Sequence, residues 1–362
     1  MPNAIIKRAE NFAAEFGINY PILLGPMAGA CPVGLSVAVA KGGGMGACGA
    51  LLLSPDEIKQ WASDFRSEVN GQFQMNLWIP DAATEPNPEH ENQLRTFLSD
   101  WGPEFTAEAA RETPPDFQSQ CEALLEVAPP VVSSIMGLFE ARFVEQLKSK
   151  GVKWFANVTT VAEAIMAEEA GADVIVAKSY EAGGHSGAFE PEDAMRYGVG
   201  LISLVPAIAD KVKIPIVATG GIADGRTAAA ALFLGASAVQ IGTGFLRAEE
   251  STIAPAWSEA IGNARPEDTI VTKAFSGRAG RSIANDYVLA MERDDSPVPA
   301  PYPIQRGLTQ AMRTTALKQN RIQSMQAWAG QSAAMAQQVS ATRIPQNIWD
   351  AARELFDVRS SS

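Results

Sequence analysis

The chain is poor in the side chains that most often hold metals or act as nucleophiles. Its 362 residues include two histidines, His90 and His185, and three cysteines, Cys31, Cys48 and Cys121. The cysteines are scattered without metal-ligand spacing, and the distant histidines and isolated carboxylates add no ligand set. An odd, sparse cysteine count argues against a disulfide framework and fits a reducing compartment. Basic residues are outnumbered, 29 against 41 acidic, for a formal charge of −12. That balance argues against nucleic acid, whose phosphates select basic surfaces, and against an anionic membrane face. No apolar run approaches the ~20 residues of a membrane span. The opening stretch MPNAIIKRAENFAAEFG lacks the apolar core of a signal peptide. A soluble, cytoplasmic protein is expected. Three familiar motifs are missing too: G-x-x-x-x-G-K-[ST], G-x-G-x-x-G after the first strand, and the G-x-S-x-G elbow.

What is present is an ordinary globular composition, 46% apolar and 19% charged. Eight short apolar runs recur, at 21–27, 44–50, 72–79, 130–135, 152–158, 172–178, 214–220 and 237–242. They read as parallel strands buried on both faces. The segments between them carry helix punctuation. Thr160 and Glu163 form a capping box, Gly171 stops that helix, and Asp224 caps the next over RTAAAALFL. A faint echo, EEAGADVIVAK against LFLGASAVQIG, repeats one helix-to-strand unit. The fold class expected is α/β, a (β/α)8 TIM barrel over residues 1–247. An open doubly wound sheet is the competing architecture. A polar, proline-flanked insertion at about 81–117 interrupts the third unit, with room for short helices. Residues 248–362 lack βα alternation and are read as a smaller, mostly helical second domain beside the barrel mouth, ending in a frayed VRSSS tail.

Barrel ligands sit at the C-terminal ends of the strands, with phosphate at the loops after strands seven and eight. Those loops read ATGGIADG and QIGTGFL. Gly220, Gly221 and Gly242 would let backbone N–H groups approach an anion, the helix starting near Asp224 adds partial positive charge, and Thr243 supplies a hydroxyl. Glycines that merely permit tight turns are the bland alternative. Two such loops on consecutive units favour a phosphate-bearing cofactor. At other strand ends, Met27 in GPMAGA would lie against a flat ring, and Asn76 offers an amide donor and acceptor. Lys178 ends strand six, whose loop carries Glu181 and, in EAGGHSG, His185. There His185 suits a proton acceptor or anion-stabilising group with a pKa near neutrality; His90, in the polar insertion, reads as solvated surface.

In combination, GPMAGA, EAGGHSG, ATGGIADGR, VQIGTGFL, TKAFSGRAGRSIAN, YPIQRGLTQAMR and QAWAGQSAA resemble the nitronate monooxygenases, over about residues 20–335. The resemblance implies a barrel holding non-covalent FMN, with contacts from Met27, Asn76, Gly183, Gly220, Gly221, Gln240, Ile241, Gly242 and Thr243. It implies His185 as the catalytic histidine. Lys178 stands where many members have glutamine, which places a cation beside the flavin. The implied reaction is oxidation of an alkyl nitronate, or of a nitroalkane where one is accepted, by O2 to a carbonyl compound and nitrite. Trp78 and Phe189 would help line an apolar mouth. Related FMN barrels remain as rivals: an NAD(P)H-dependent enoyl-acyl-carrier-protein reductase or an NAD(P)H:quinone reductase. A barrel that binds FMN without turnover is the reading from another class. The oligomeric state, a homodimer among the options, stays open.

Overall fold

The computed structural model describes residues 2–82, 84–104 and 114–357. Part of the 81–117 insertion and the VRSSS tail therefore lie outside the described residues. In chain order the strands are β1 (Ile22–Leu24), β2 (Gly46–Gly49), β3 (Phe73–Trp78), β4 (Val131–Ile135), β5 (Lys153–Val158) and β6 (Val174–Lys178). They continue as β7 (Gly184–His185), β8 (Ile216–Thr219), β9 (Ala238–Ile241), β10 (Thr269–Thr272) and β11 (Gly280–Ile283). Eight of them form one sheet, β1-β9-β8-β6-β5-β4-β3-β2, and the parallel bridge between Leu23 and Met45 joins its two edges. The result is a TIM-type barrel. Each expected apolar run contains one barrel strand.

The strands are buried on both faces because helices cover the outside while side chains fill the inside. At the N-terminal end the interior is plugged. Phe12 and Phe16, from and just after the helix Pro2–Glu15, pack with Phe155, Leu23, Val174 and Val217, and Phe16 meets Phe155 edge-on at 5.0 Å. With that end filled by apolar bulk, only the opposite end can admit a ligand. The helix caps fall where the sequence places them. Thr160 accepts from Glu163 N, and Asp224 accepts from Thr227 N at 3.0 Å.

Beyond residue 248 the chain builds a layer over the barrel mouth. β10 and β11 form an antiparallel hairpin, and β7 adds to its edge through the pairs Gly280–His185 and Arg281–Gly184. The last helix, Ile344–Asp357, returns to the barrel wall, where Ile348, Trp349 and Ala352 join the outer core. It lies so close to the helix Gly225–Phe233 that a Cβ on Gly225 would come within 2.5 Å of Ala351 Cβ. In the insertion, the helix Pro88–Leu98 packs Leu94 and Leu98 against Phe275, Tyr287 and Leu308 of the mouth layer. His90 is half-buried rather than solvated, because its Nε2 lies 2.7 Å from the carbonyl of Val298. No described helix is long and apolar enough to cross a membrane, and no described cluster of His, Cys, Asp or Glu is arranged to hold a metal ion.

Candidate active site

The C-terminal strand ends open into one cavity of about 430 Å³. One flank of it is a backbone cradle. Gly220 and Gly221, after β8, adopt φ of +106° and +70°, conformations that favour glycine. The N–H groups of Gly220, Gly221 and Ile222 have no acceptor among the described residues. The helix Gly225–Phe233 begins just beyond them. Thr243, after β9, accepts from Gly330 N at 3.0 Å and has no acceptor for its own hydrogen among the described residues. Unpaired amides, a free hydroxyl and a helix N-terminus are the donor set that a phosphate requires.

Deeper in the cavity, Asn76 spends its amide hydrogens on Ser133 O and Oγ, at 3.2 and 3.0 Å. Its carbonyl oxygen remains as an acceptor. Gln240 accepts from Gln74 Nε2 at 2.9 Å, which leaves its own amide hydrogens to donate. Met27 stands over Gly242 and keeps that position small, since a Cβ there would sit 3.3 Å from the sulfur. A flat heteroaromatic ring carrying both donors and acceptors, on a phosphorylated tail, fits this arrangement.

His185 faces the same cavity, and the glycines around it have separate causes. Gly183 is small because Gly330 and Thr243 crowd it, while Gly184 and Gly187 adopt φ of +72° and +93°. The imidazole lies between Trp78 and Trp328, with centroids at 4.7 and 5.0 Å, and Trp78 stacks on Tyr302 at 4.7 Å. Its Nε2 is 2.8 Å from Ser276 Oγ. The Ser276 oxygen also receives Arg278 N at 3.4 Å and lies 3.2 Å from Arg278 O. When the Ser276 hydrogen points to that carbonyl, Nε2 donates to Ser276 and Nδ1 keeps the free lone pair.

The expectation of a near-neutral pKa is not met. Burial, and then the charges of Arg278, Arg306, Lys178 and Arg313, push His185 down to about 3. Burial also lowers Lys178 to about 8; its Nζ donates to Gly183 O at 3.3 Å. Because the folded chain binds the His185 proton less readily than the unfolded chain, that contribution to stability is fully present above about pH 6.5. It is lost as pH falls from there towards 3. A His185→Gln protein should therefore lose less stability than the native one between pH 6.5 and 4, read by urea denaturation at each pH.

Arg278 is buried, 2% exposed, and held by Asp81. Its Nε donates to Asp81 Oδ2 at 2.9 Å and its Nη1 to Ala188 O at 3.1 Å. This pair ties the start of the insertion to the turn that carries Ser276. Removing one member of such a pair leaves a buried charge uncompensated. Asp81→Ala should cost about 3–5 kcal/mol in denaturant unfolding.

Of the residues singled out from sequence, Met27, Asn76, Lys178, Gly183, His185, Gly220, Gly221, Gln240, Gly242 and Thr243 all line this one cavity. Ile241 does not. Its side chain packs in the outer core between strands and helices, and its carbonyl accepts from Gly25 N at 2.8 Å. Trp78 lines the cavity, whereas Phe189 packs outside it with its N–H on Glu163 Oε1 at 2.8 Å. Ser276, Trp328, Arg306 and Arg313 had not been singled out. The AFSGR, WAGQ and YPIQRGLTQAMR stretches were the only trace of them.

A parallel barrel that gathers unpaired amides, a helix N-terminus and a histidine around one cavity is consistent with a flavin-type oxidoreductase. The comparisons agree. Residues 10–349 match the family profile described as Nitronate monooxygenase. A probable nitronate monooxygenase of Staphylococcus saprophyticus is 33% identical over 97% of this chain and 100% of its own. One from Staphylococcus aureus is 34% identical over 91% and 94%. Among solved structures, a nitroalkane oxidase from Streptomyces ansochromogenes is 30% identical with TM-score 0.88, over 96% of this chain and 100% of its own. FabK from Thermotoga maritima is 27% identical with TM-score 0.75, over 97% and 99%. The chain belongs to the nitronate monooxygenase family, whose members are flavin-dependent oxidoreductases.

Proposed function

We propose that the protein binds FMN and oxidises alkyl nitronates with O2 to a carbonyl compound and nitrite. The observation that carries this reading is a cavity with a phosphate cradle at one flank and, on the other, a neutral imidazole among cations. FMN supplies the electron acceptance and the reaction with oxygen. Gly220, Gly221, Gly242 and Thr243 would hold its phosphate, and Asn76 and Gln240 its ring edges. The single phosphate group matches one cradle, whereas a dinucleotide would need a second.

The chain's own residues then handle an anion. Lys178 stabilises negative charge, His185 donates Nδ1–H to a nitronate oxygen in the tautomer whose Nε2 accepts from Ser276 Oγ, and Trp78 and Trp328 fix its ring. A base whose pKa is pushed to about 3 removes a carbon-bound proton poorly. A preformed nitronate, which needs no proton removed, is the substrate on which this lowering costs nothing. Three free, buried cysteines are consistent with work in the reducing cytoplasm.

The test is an anaerobic titration of the purified yellow protein. An alkyl nitronate should change the visible flavin absorbance, and admitting O2 should restore it with release of nitrite. NADH and NADPH should leave it unchanged. Bleaching by a reduced nucleotide, with none by the nitronate, would overturn the proposal in favour of a reductase, the reading nearest to the FabK likeness.

A further inference from the structure

Among the described residues that line the cavity there is no cysteine, aspartate or glutamate, and a single amine, Lys178. It ends β6 in register with Thr219 of β8, which is in turn in register with Gln240 of β9. The lysine therefore stands level with Gln240 in the barrel wall. Its stem is held on one side, because a Cβ on Gly187 would lie 3.4 Å from Lys178 Cδ. At the tip, Nζ donates to Gly183 O at 3.3 Å. Among the described residues it has no other hydrogen bond and no ion pair. The tip is also near enough to the imidazole for His185 to register its charge.

An ammonium without a carboxylate, in a wall that also carries Arg306 and Arg313, is in surroundings that favour the neutral amine. Burial brings Lys178 down to about 8. Near pH 7.5 its unprotonated fraction then exceeds that of a lysine in water by about two orders of magnitude. An amine with one hydrogen on Gly183 O keeps its lone pair for an electrophile. The thiols do not compete. All three are buried away from this wall, and burial pushes Cys31 up to about 11 and Cys121 up to about 12. An electrophile arises in the cavity itself, since oxidation of a primary nitronate leaves an aldehyde there.

We propose that Lys178 is a reversible covalent site for short aliphatic aldehydes, which it holds as an imine. This inference rests on the nitronate reading above, which generates the aldehyde beside it. The nitrogen lone pair forms the C–N bond, and a proton passes from nitrogen to the carbonyl oxygen. The resulting hydroxyl leaves as water with the second nitrogen proton, and a C=N bond remains. Nothing is oxidised or reduced, and water reverses the step. While the imine stands, the cation that meets the nitronate is missing, so accumulated aldehyde slows further turnover.

The experiment incubates the flavin-loaded protein near pH 7.5 with limiting propanal, the aldehyde expected from the nitronate of 1-nitropropane. Sodium cyanoborohydride is added to turn any imine into a stable propylamine. Peptide mapping by mass spectrometry should find the propyl group on Lys178 at least about tenfold ahead of the exposed Lys7, Lys150 and Lys211. In Lys178→Gln the fast label should vanish while those exposed lysines react as before. Label on Lys178 no faster than on the exposed lysines sinks the proposal. Inhibition of nitronate oxidation by propanal should reverse on dilution, and cyanoborohydride should make it permanent in the native protein but not in Lys178→Gln. If Lys178 is labelled but no nitronate is turned over, the functional reading fails and the lysine site stands. If the nitronate is turned over and Lys178 stays unlabelled, the functional reading stands and the site falls.

Discussion

Replacing His185 with alanine should leave a protein that is still yellow and still folded but slower on a nitronate by about 10–100-fold in kcat/KM, the loss of one hydrogen bond to a charged group. The flavin should stay because none of the cradle donors depends on the imidazole. The amides of Gly220 to Ile222, the Thr243 hydroxyl and the Gln240 amide come from β8, β9 and their loops. The rate should fall because the imidazole is a hydrogen-bonding group that the fold holds in one orientation at the mouth. Its ring lies between Trp78 and Trp328, and Ser276 fixes one nitrogen at 2.8 Å. Ser276→Ala should produce a smaller loss and alter the pH profile, since it frees the ring to change tautomer without removing it. The measurement is kcat/KM normalised to flavin content from the visible spectrum. Turnover by His185→Ala equal to that of the native protein would remove His185 from the mechanism.

The barrel was legible because parallel strands buried on both faces leave apolar runs that no surface helix would show. Each of the eight runs brackets a strand for that reason. The Thr160 and Asp224 caps were equally plain, since a capping box is a local pattern of side chains. Gly220, Gly221 and Gly242 could be placed because the fold dictates which loops reach the mouth. What escaped was non-local. β7 has two residues and no periodicity, and its partner β11 lies some 95 positions later, so nothing near His185 announces that it is clamped into a sheet. For the same reason a pKa near neutrality was expected. Arg278, Arg306 and Arg313 are remote in sequence, and only the folded chain sums their charges on the imidazole. Ile241 shows a further limit. It stands between two residues that line the cavity, yet strand alternation turns its side chain the other way.

The second large effect concerns Gly183, where a small volume rather than a special backbone angle is at stake. A Cβ at this position would stand 2.6 Å from Gly330 N, 2.8 Å from Ala329 C and 2.9 Å from Thr243 Oγ1. Two of these neighbours are backbone and cannot rotate aside. Gly183→Val must therefore push the 328–332 segment off the β6 loop. That movement breaks the Thr243–Gly330 hydrogen bond and disturbs the Ser332 hydroxyl, which donates to Gly221 O at 2.6 Å. Both contacts hold the loops proposed to cradle the phosphate. The barrel core is untouched, so overpacking should cost about 1–3 kcal/mol of stability. FMN affinity should fall by about a hundredfold, on the order of 2.7 kcal/mol. Gly184 supplies the control. Its Cβ would meet nothing within 4 Å, so Gly184→Ala should cost only the left-handed strain of φ +72°, about 1–2 kcal/mol, and should retain the flavin. Reconstitution of the two apoproteins with FMN, followed by fluorescence quenching, separates the cases. If Gly183→Val binds FMN as tightly as Gly184→Ala, the contact between the β6 loop and residues 328–332 does not shape the cradle, and the phosphate is held by β8 and β9 alone.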